Sequence, residues 1–564
     1  MYPNFTYPLP DPAKADDAVR AAEEQIGEKN TALSYSAFRL FHETGSRLEY
    51  ETEYMLHRKR LCAFAAAVLS GKDNERFLPA LCDCIWAICD EYTWALPAHL
   101  PENESPKKTV ERIDLFAAET AMALAEACAA LGALLPRAVR ERVLFELDRR
   151  TYTPYEQNRP AFGHNNWSAV CACGVGCSYL ALGQYERFEK VKESLLRNLG
   201  DFADSIPDDG CCLEGSLYWA YGFGFYTYFA DALYEYSDGK INLFADPKIM
   251  RLARFGQNSF LHNNLCVPFS DAPHTLTFEP GLWEILRRRC PDIVLPDARY
   301  ASRFGDDVRW RFAPFIRNLY AEAVPSGSGE QKHEVIVYDK AGWMIQKNLF
   351  GTGRAFAAKA GHNDEPHNHN DIGSFVYTDG ERFILDDLGW ESYTKGYFDP
   401  ERRYGDEFLC ASSRSHSVPI LNGKAQLAGR KHGGRILCAD KERFSIEFSS
   451  AYEEGTVQRL CRTWSITENG LAVRDEADRA VSLAERFVTR IKPHTEGNSV
   501  IIDAYRLYTE TPCTISVEAH SFTPRFAGNG AENITETAYF IDFVPEPCSD
   551  ITFVLEKIEK EKAL

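Results

Sequence analysis

The chain has 564 residues, 45% hydrophobic and 13% aromatic, enough apolar side chain to bury a large core and incompatible with a disordered protein. That length exceeds the roughly 250–300 residues at which single cores stop growing, so more than one domain is expected, a large helical toroid being the main exception. A formal charge of −19 and an isoelectric point near 5.3 argue against nucleic acid as a partner, because nothing offsets phosphate repulsion, and an anionic ligand has to meet a locally positive pocket.

The first residues, Met1 to Pro8, show neither the basic n-region nor the apolar h-region of a secretory signal. The apolar stretch Val170 to Leu182 is shorter than the roughly 20 residues that cross a bilayer. A soluble, cytoplasmic protein without membrane contact is the expectation. The 17 cysteines agree with a reducing compartment: they form no regular framework, and Cys62, Cys82, Cys84, Cys89 and Cys128 lie in apolar helix-like stretches. The pairs Cys82/Cys84, Cys171/Cys173 and Cys211/Cys212 lack zinc-binding spacing.

From about Ala13 to Asn318 apolar residues recur at helical spacing, in Leu61 to Leu69, Phe77 to Cys89, Ile113 to Leu131, Arg137 to Thr151, Trp167 to Leu182 and Tyr185 to Asp201. Helices of similar length separated by short turns predict repeated antiparallel pairs, without a strict solenoid repeat. Pro325 to Lys332 is small and polar and reads as a linker. Beyond it the period changes: His333 to Tyr338, Ser374 to Tyr377, Phe444 to Phe448, Leu471 to Arg474 and Ala538 to Val544 read as strands, separated by turn signals such as Asp379-Gly380 and Asn422-Gly423. The expected architecture is α+β and multidomain: an N-terminal (α/α) toroid or incomplete barrel over residues 1–325, followed by an antiparallel β-sandwich over residues 326–564, with a cleft between them.

Three clusters have the composition of a site. The first is His164-Asn165-Asn166-Trp167, where a polar loop enters an apolar helix. Asparagine is a good N-cap, so capping is the bland reading. The same residues suit a sugar, because Asn165 and Asn166 can donate to a carboxylate and Trp167 can stack on a pyranose face. The second runs from Pro207 to Gly222. Its aromatic run fits core packing, which accounts less well for Glu214, Tyr218 and Tyr221 sharing one helical face at i, i+4 and i+7.

The third cluster is His362-Asn363-Asp364-Glu365-Pro366-His367-Asn368-His369-Asn370-Asp371, followed by a strand and by Asp386-Asp387-Leu388-Gly389. His367 and His369 alternate, so on a strand both point to one side. With His416 from the Ser412 to Ser417 segment, His369, Asp387 and His416 make a His2Asp zinc set, and Asp386 competes with Asp387 for the place. His367 is then left as a catalytic imidazole, with Asp371 or Asn368 behind to fix a tautomer. Arg402 and Arg403 form the nearest basic patch for an anionic ligand.

In this order, and on this helical-then-β layout, the clusters resemble the heparinase II/III-like polysaccharide lyases. Gly361 to Phe375 is the most specific match, resembling the signature around the family's catalytic and metal-binding histidines. Asp387-Leu388-Gly389 resembles the metal carboxylate motif, Ser413 to Gly423 the segment with the third ligand at His416, and Asn165-Asn166-Trp167 and Glu214 to Trp219 the Asn and Tyr motifs. The resemblance spans roughly Asn158 to Gly423. It implies an (α/α) toroid joined to a β-sandwich, a structural divalent metal such as Zn2+, and β-elimination on a uronic-acid glycan. Asn166 would neutralise the uronate, Tyr218 would act as base or acid and His367 as its partner, with Asn165, Trp167, Glu214, Tyr221 and Arg403 around the substrate. One departure concerns residue 167: some members carry His directly after the Asn, and this chain carries Trp167, which removes a possible second base.

The chemistry agrees with the residue types. Removing a C5 proton beside a carboxylate adds charge to an anion, so amide hydrogen bonds and a cation must first stabilise the developing dianion. A tyrosine titrates near 10, and as a base Tyr218 needs nearby positive charge, from His or Arg403. The expected substrate is an anionic oligo- or polysaccharide, glycosaminoglycan-type chains being favoured over alginate or pectic oligouronides. The rival readings are an α/α-toroid glycoside hydrolase using Glu214 with Asp208 or Asp209, and a carbohydrate-binding scaffold without turnover. An acidic, aromatic-rich toroid is also compatible with a homodimer.

Overall fold

The computed structural model describes residues 12–322, 332–391, 395–404, 407–523 and 535–558. Apart from Lys332, the expected linker Pro325 to Lys332 lies outside them. The chain forms two compact units, a helical one from residues 1–206, 218–253 and 277–327, and a β-rich one from 207–217, 254–276 and 328–564. Its 17 cysteines are free thiols, most of them buried.

The helical unit follows the sequence periodicity closely. The main helices are Leu48–Leu69, Asn74–Asp90, Leu115–Leu131, Arg137–Leu147, Asn166–Ala181, Tyr185–Ser205 and Gly224–Tyr236. Two of them, Leu115–Leu131 and Asn166–Ala181, are apolar on nearly every side and buried, which marks core helices. Among the described residues Leu115–Leu134, not Val170 to Leu182, is the helical stretch long and apolar enough to cross a membrane, and its most apolar window is 78% buried inside the protein. These two helices touch backbone to backbone at Gly174, where an added Cβ would stand 2.4 Å from Ala118 O. The segment expected as one helix from Arg137 to Thr151 is α-helical only to Leu147 and then widens into a π-turn over Asp148–Tyr152. Pro154 explains the change, since it has no N–H for the carbonyl four residues back.

Among the described residues the β-rich unit holds three larger antiparallel sheets and the short hairpin Phe260–His262/Leu265–Cys266. The five-stranded sheet runs in sequence order from Glu334–Tyr338 to Phe383–Leu385. The nine-stranded sheet has Gly361–Asn363 at one edge beside Gly429–Ala439 and His494–Glu496 at the other. The four-stranded sheet pairs Cys513–Phe522, Glu536–Pro545, Leu483–Thr489 and Pro419–Leu421. All three contribute to one apolar core, in which Phe356 and Phe375, Phe444, Trp464 and Phe553, and Phe487 and Phe543 are buried together.

One fully buried cation ties this core to the loops above it. Arg462 donates to Asp475 at 2.8 and 2.6 Å and to Glu485 at 2.5 Å, and its remaining nitrogen donates to Gly373 O at 3.0 Å and Ser417 O at 2.9 Å. Gly373 and Ser417 belong to the two histidine-bearing loops. Removing one partner of a buried ionic set leaves the others uncompensated, at a cost of about 3–5 kcal/mol. Arg462→Met is expected to lower stability by about that much in denaturant unfolding, with the deficit shrinking as pH falls, because burial raises the Glu485 carboxyl and its protonation removes an uncompensated charge.

Candidate active site

The histidine loop leaves the strand Arg354–Lys359, passes through Gly361–Asn363 and returns as Phe375–Thr378. Much of its polar side chain is internal: Asn363, Asn368, Asn370 and Asp371 are fully buried. Gln426 clamps it: its amide oxygen accepts from Asn363 Nδ2 at 3.2 Å and Ile372 N at 2.9 Å, and its amide nitrogen donates to Ile372 O at 2.7 Å. The second loop is stitched to the first, since Ser413 Oγ donates to Asn370 O at 2.6 Å and Asn370 N to Ala411 O at 3.0 Å.

The buried carboxylate of Asp271 organises the histidines. It lies 2.7 Å from His367 Nδ1 and 3.2 Å from His369 Nε2, and it accepts a short hydrogen bond from Tyr397 OH. Burial alone would raise this carboxyl, but the hydrogen bonds from His367 and His369 prevail and hold it well below its ordinary value. The Arg402 guanidinium stacks 4.1 Å over the Tyr397 ring. His367 itself sits at φ 57°, left-handed for a residue with a side chain and a local strain of the kind found at functional positions. It is 19% exposed, whereas His369 is buried.

His369, Asp387 and His416 bring one donor atom each within 4.8 Å of one another and are all buried, so they can hold a metal ion. The neighbours suit that role. His416 Nε2 meets Cys410 O at 2.9 Å and His369 Nε2 meets Asp271, which leaves Nδ1 on each ring for a cation. Burial acts to raise the Asp387 carboxyl, but the adjacent His416 imidazole, 2.8 Å away, draws it down to about 2. Gly389, at φ 72°, lets the chain turn so that its N–H reaches Asp387 Oδ1 at 2.8 Å. Asp386 points elsewhere, to His274 at 2.7 Å and Arg490 at 3.4 Å. Arg403 donates to Asn363 O at 2.9 Å.

In the helical unit, Asn165 is the N-cap of the helix Asn166–Ala181, accepting from Trp167 N at 2.9 Å, so capping does account for it. Asn166 is the first helical residue and is buried. Gly222 packs directly on it, an added Cβ there lying 2.9 Å from Asn166 Cβ. Tyr218 ends a short helix, Ser216–Tyr218, that runs into a π-turn over Trp219–Phe223. The continuous α-helical face expected from Glu214 through Tyr218 to Tyr221 is therefore absent. Glu214 precedes the helix, and the π-turn alters the angular spacing beyond Tyr218. Tyr221 OH is taken up by Glu119, and the Arg311 guanidinium lies 4.2 Å over its ring.

Several of these residues escape a reading of the sequence. Asp371 does not brace an imidazole; it pairs with Lys359 at 2.9 Å, and Asp271 does the bracing from almost a hundred residues upstream. Ser270-Asp271-Ala272-Pro273-His274 is a polar loop between apolar runs, a faint signal with no spacing link to His367. Glu365 sits 3.9 Å from Lys359, and burial pushes its carboxyl up to about 7. A carboxyl whose folded value lies above the unfolded one stabilises below the unfolded value and loses that contribution as pH rises through the folded one. Glu365→Gln should remove from the wild-type curve a decline of up to about 1.4 kcal/mol per pH unit, measured as unfolding free energy of both proteins between the ordinary 4.5 and about 7.

No family model and no curated protein matches the chain. Solved structures do. Heparinase III superposes with a TM-score of 0.67 at 12% identity, over 100% of this chain and 88% of the other. A variant of the heparan sulfate lyase from Pedobacter heparinus gives 0.59 at 12% identity, over 97% and 88%. The chondroitin AC lyase of Streptomyces coelicolor A3, in complex with chondroitin sulphate, gives 0.56 at 10% identity, over 98% and 81%. The chain thus has the fold of the heparinase-like polysaccharide lyases, a helical N-terminal region followed by a C-terminal region of antiparallel sheets.

Proposed function

We propose that the protein is a carbon–oxygen lyase that cleaves uronic-acid-containing glycans, glycosaminoglycan-type chains foremost, by β-elimination, on an (α/α) toroid joined to a β-sandwich. The observation that carries this reading is His367: a partly exposed imidazole in strained backbone, braced by buried Asp271 beside a buried set of metal donors. That is the build of a proton-transfer group rather than of a core histidine.

In this reading the Asn166 amide donates to the uronate carboxylate and takes up part of the charge that develops as the C5–H bond breaks. Tyr218 accepts that proton, the electron pair becomes the C4–C5 double bond, and the C4–O4 bond breaks with the phenol returning a proton to O4. His367 serves the opposite face of the ring, and Arg403 contributes positive potential. A zinc ion held by His369, Asp387 and His416 would act structurally, cross-linking two loops through a Lewis-acid centre. The hydrolase alternative is weakened because Asp209 is occupied, accepting from Lys340 N at 2.8 Å, Ala341 N at 3.1 Å and Cys211 N at 3.2 Å.

Incubation with heparan, chondroitin, hyaluronan, alginate and pectic oligosaccharides should yield a product with the ultraviolet absorbance of a conjugated double bond. Cleavage without that absorbance would overturn the lyase reading. Tyr218→Phe should lower kcat by about 100-fold or more while oligosaccharide binding persists. Stripping the metal with a chelator should lower Tm and activity together, and a loss of activity at unchanged Tm would refute the structural role.

A further inference from the structure

The helical unit contains a second aspartate–histidine pair built like Asp271–His367. His99 Nδ1 lies 2.6 Å from Asp114 Oδ2, where the corresponding distance in the β-rich unit is 2.7 Å. Both carboxylates are fully buried, and both imidazoles are partly exposed, His99 at 14% and His367 at 19%. Asp114 is fixed by two backbone donors as well, Ala117 N on Oδ1 at 2.7 Å and Leu96 N on the shared Oδ2 at 3.2 Å. A buried carboxylate on Nδ1 fixes the neutral tautomer with its lone pair on Nε2. Among the described residues no hydrogen bond reaches His99 Nε2, and the His99 side chain is partly exposed.

The His99 ring packs against Trp167, with centroids 4.8 Å apart, on the first turn of the helix that begins at Asn166. A purely structural histidine capping a helix through its aspartate has no need of an open second nitrogen beside an indole. Polar groups of this kind around an aromatic face are how a sugar ring is oriented.

We infer that His99 is a substrate-contacting imidazole of the helical unit, oriented by Asp114, that accepts a proton from the uronate; this rests on the lyase reading above. When it serves as base in place of Tyr218, Nε2 takes the C5 proton, the C–H electron pair forms the C4–C5 double bond, O4 leaves with the proton of Tyr218, and the proton of the imidazolium paired with Asp114 returns through water to the Tyr218 phenolate. Asp114 is a positioning residue in this scheme.

The test pairs kinetics with a footprint that does not depend on turnover. On oligosaccharides of glucuronate and of its C5 epimer iduronate, His99→Gln should lower kcat by about 100-fold on at least one of the two, with KM changed by less than about threefold. Glutamine can still donate to Asp114, so Tm should hold. Asp114→Asn, which leaves the imidazole but not its tautomer, should lower kcat by about tenfold or more. Rates within threefold of wild type on every substrate that wild type cleaves, or losses that merely follow a fall in Tm, overturn the proposal. Separately, diethyl pyrocarbonate should label His99 in the wild-type protein, read by peptide mass spectrometry, and saturating uronate oligosaccharide should protect it. A His99 that is unlabelled, or labelled equally with and without the oligosaccharide, overturns the proposal even where unsaturated product is formed. Absence of unsaturated product from wild type with His99 protected overturns the lyase reading and leaves the sugar contact standing.

Discussion

The arrangement around the candidate site depends on one buried carboxylate. Asp271 meets two imidazoles and a phenol at once, so one buried charge is shared among three donors. Because it binds Nδ1 of His367 but Nε2 of His369, one side chain assigns different jobs to two rings two residues apart. The first is held by its Nδ1 edge, and the second by Nε2 beside Asp387 and His416. The strained φ of His367 is tolerated because hydrogen bonds fix both its ring and the flanking asparagines.

Around this node the protein uses neutral amides where a charged residue would be costly. Asn363, Asn368 and Asn370 are fully buried, and each brings donors and an acceptor into the loop without adding to its charge. The charges that are present come in sets: Lys359 with Asp371 and Glu365, Arg462 with Asp475 and Glu485, Asp386 with His274 and Arg490. The first set joins a strand to the histidine loop, the second joins three strands and the third joins loops, so the β-rich unit is cross-linked where it supports the histidines.

Much of this was legible in the sequence, for identifiable reasons. Helices such as Tyr185–Ser205 announce themselves because one apolar stripe faces the core, and strands such as Arg443–Glu447 because side chains alternate across a sheet. The trio His369, Asp387 and His416 was legible because the types of its donors are distinctive and its sequence separations are short. The π-turn after Tyr218 was not, since a single extra residue per turn leaves no periodic trace over five residues. Asp271 and Tyr397 were not, because their partners are set by tertiary packing alone. Asp386 and Asp387 are adjacent and chemically identical, and only the direction of each side chain, one toward Arg490 and the other toward His416, separates them.

The position of Asp271 in the chain bears on how the protein is made. It is supplied by the inserted segment 254–276, whereas its partners His367, His369 and Tyr397 follow roughly a hundred residues later. During synthesis from the N-terminus, at about 5–20 residues per second, this segment leaves the ribosome seconds before anything exists to neutralise it. The helical segments can begin to pair in that interval through local contacts, while the loop carrying Asp271 has to stay hydrated until the sheets arrive. Assembly of the histidine centre is thereby a late, long-range event of folding, and nascent chains stopped short of residue 397 carry an incomplete centre however well their helices have formed.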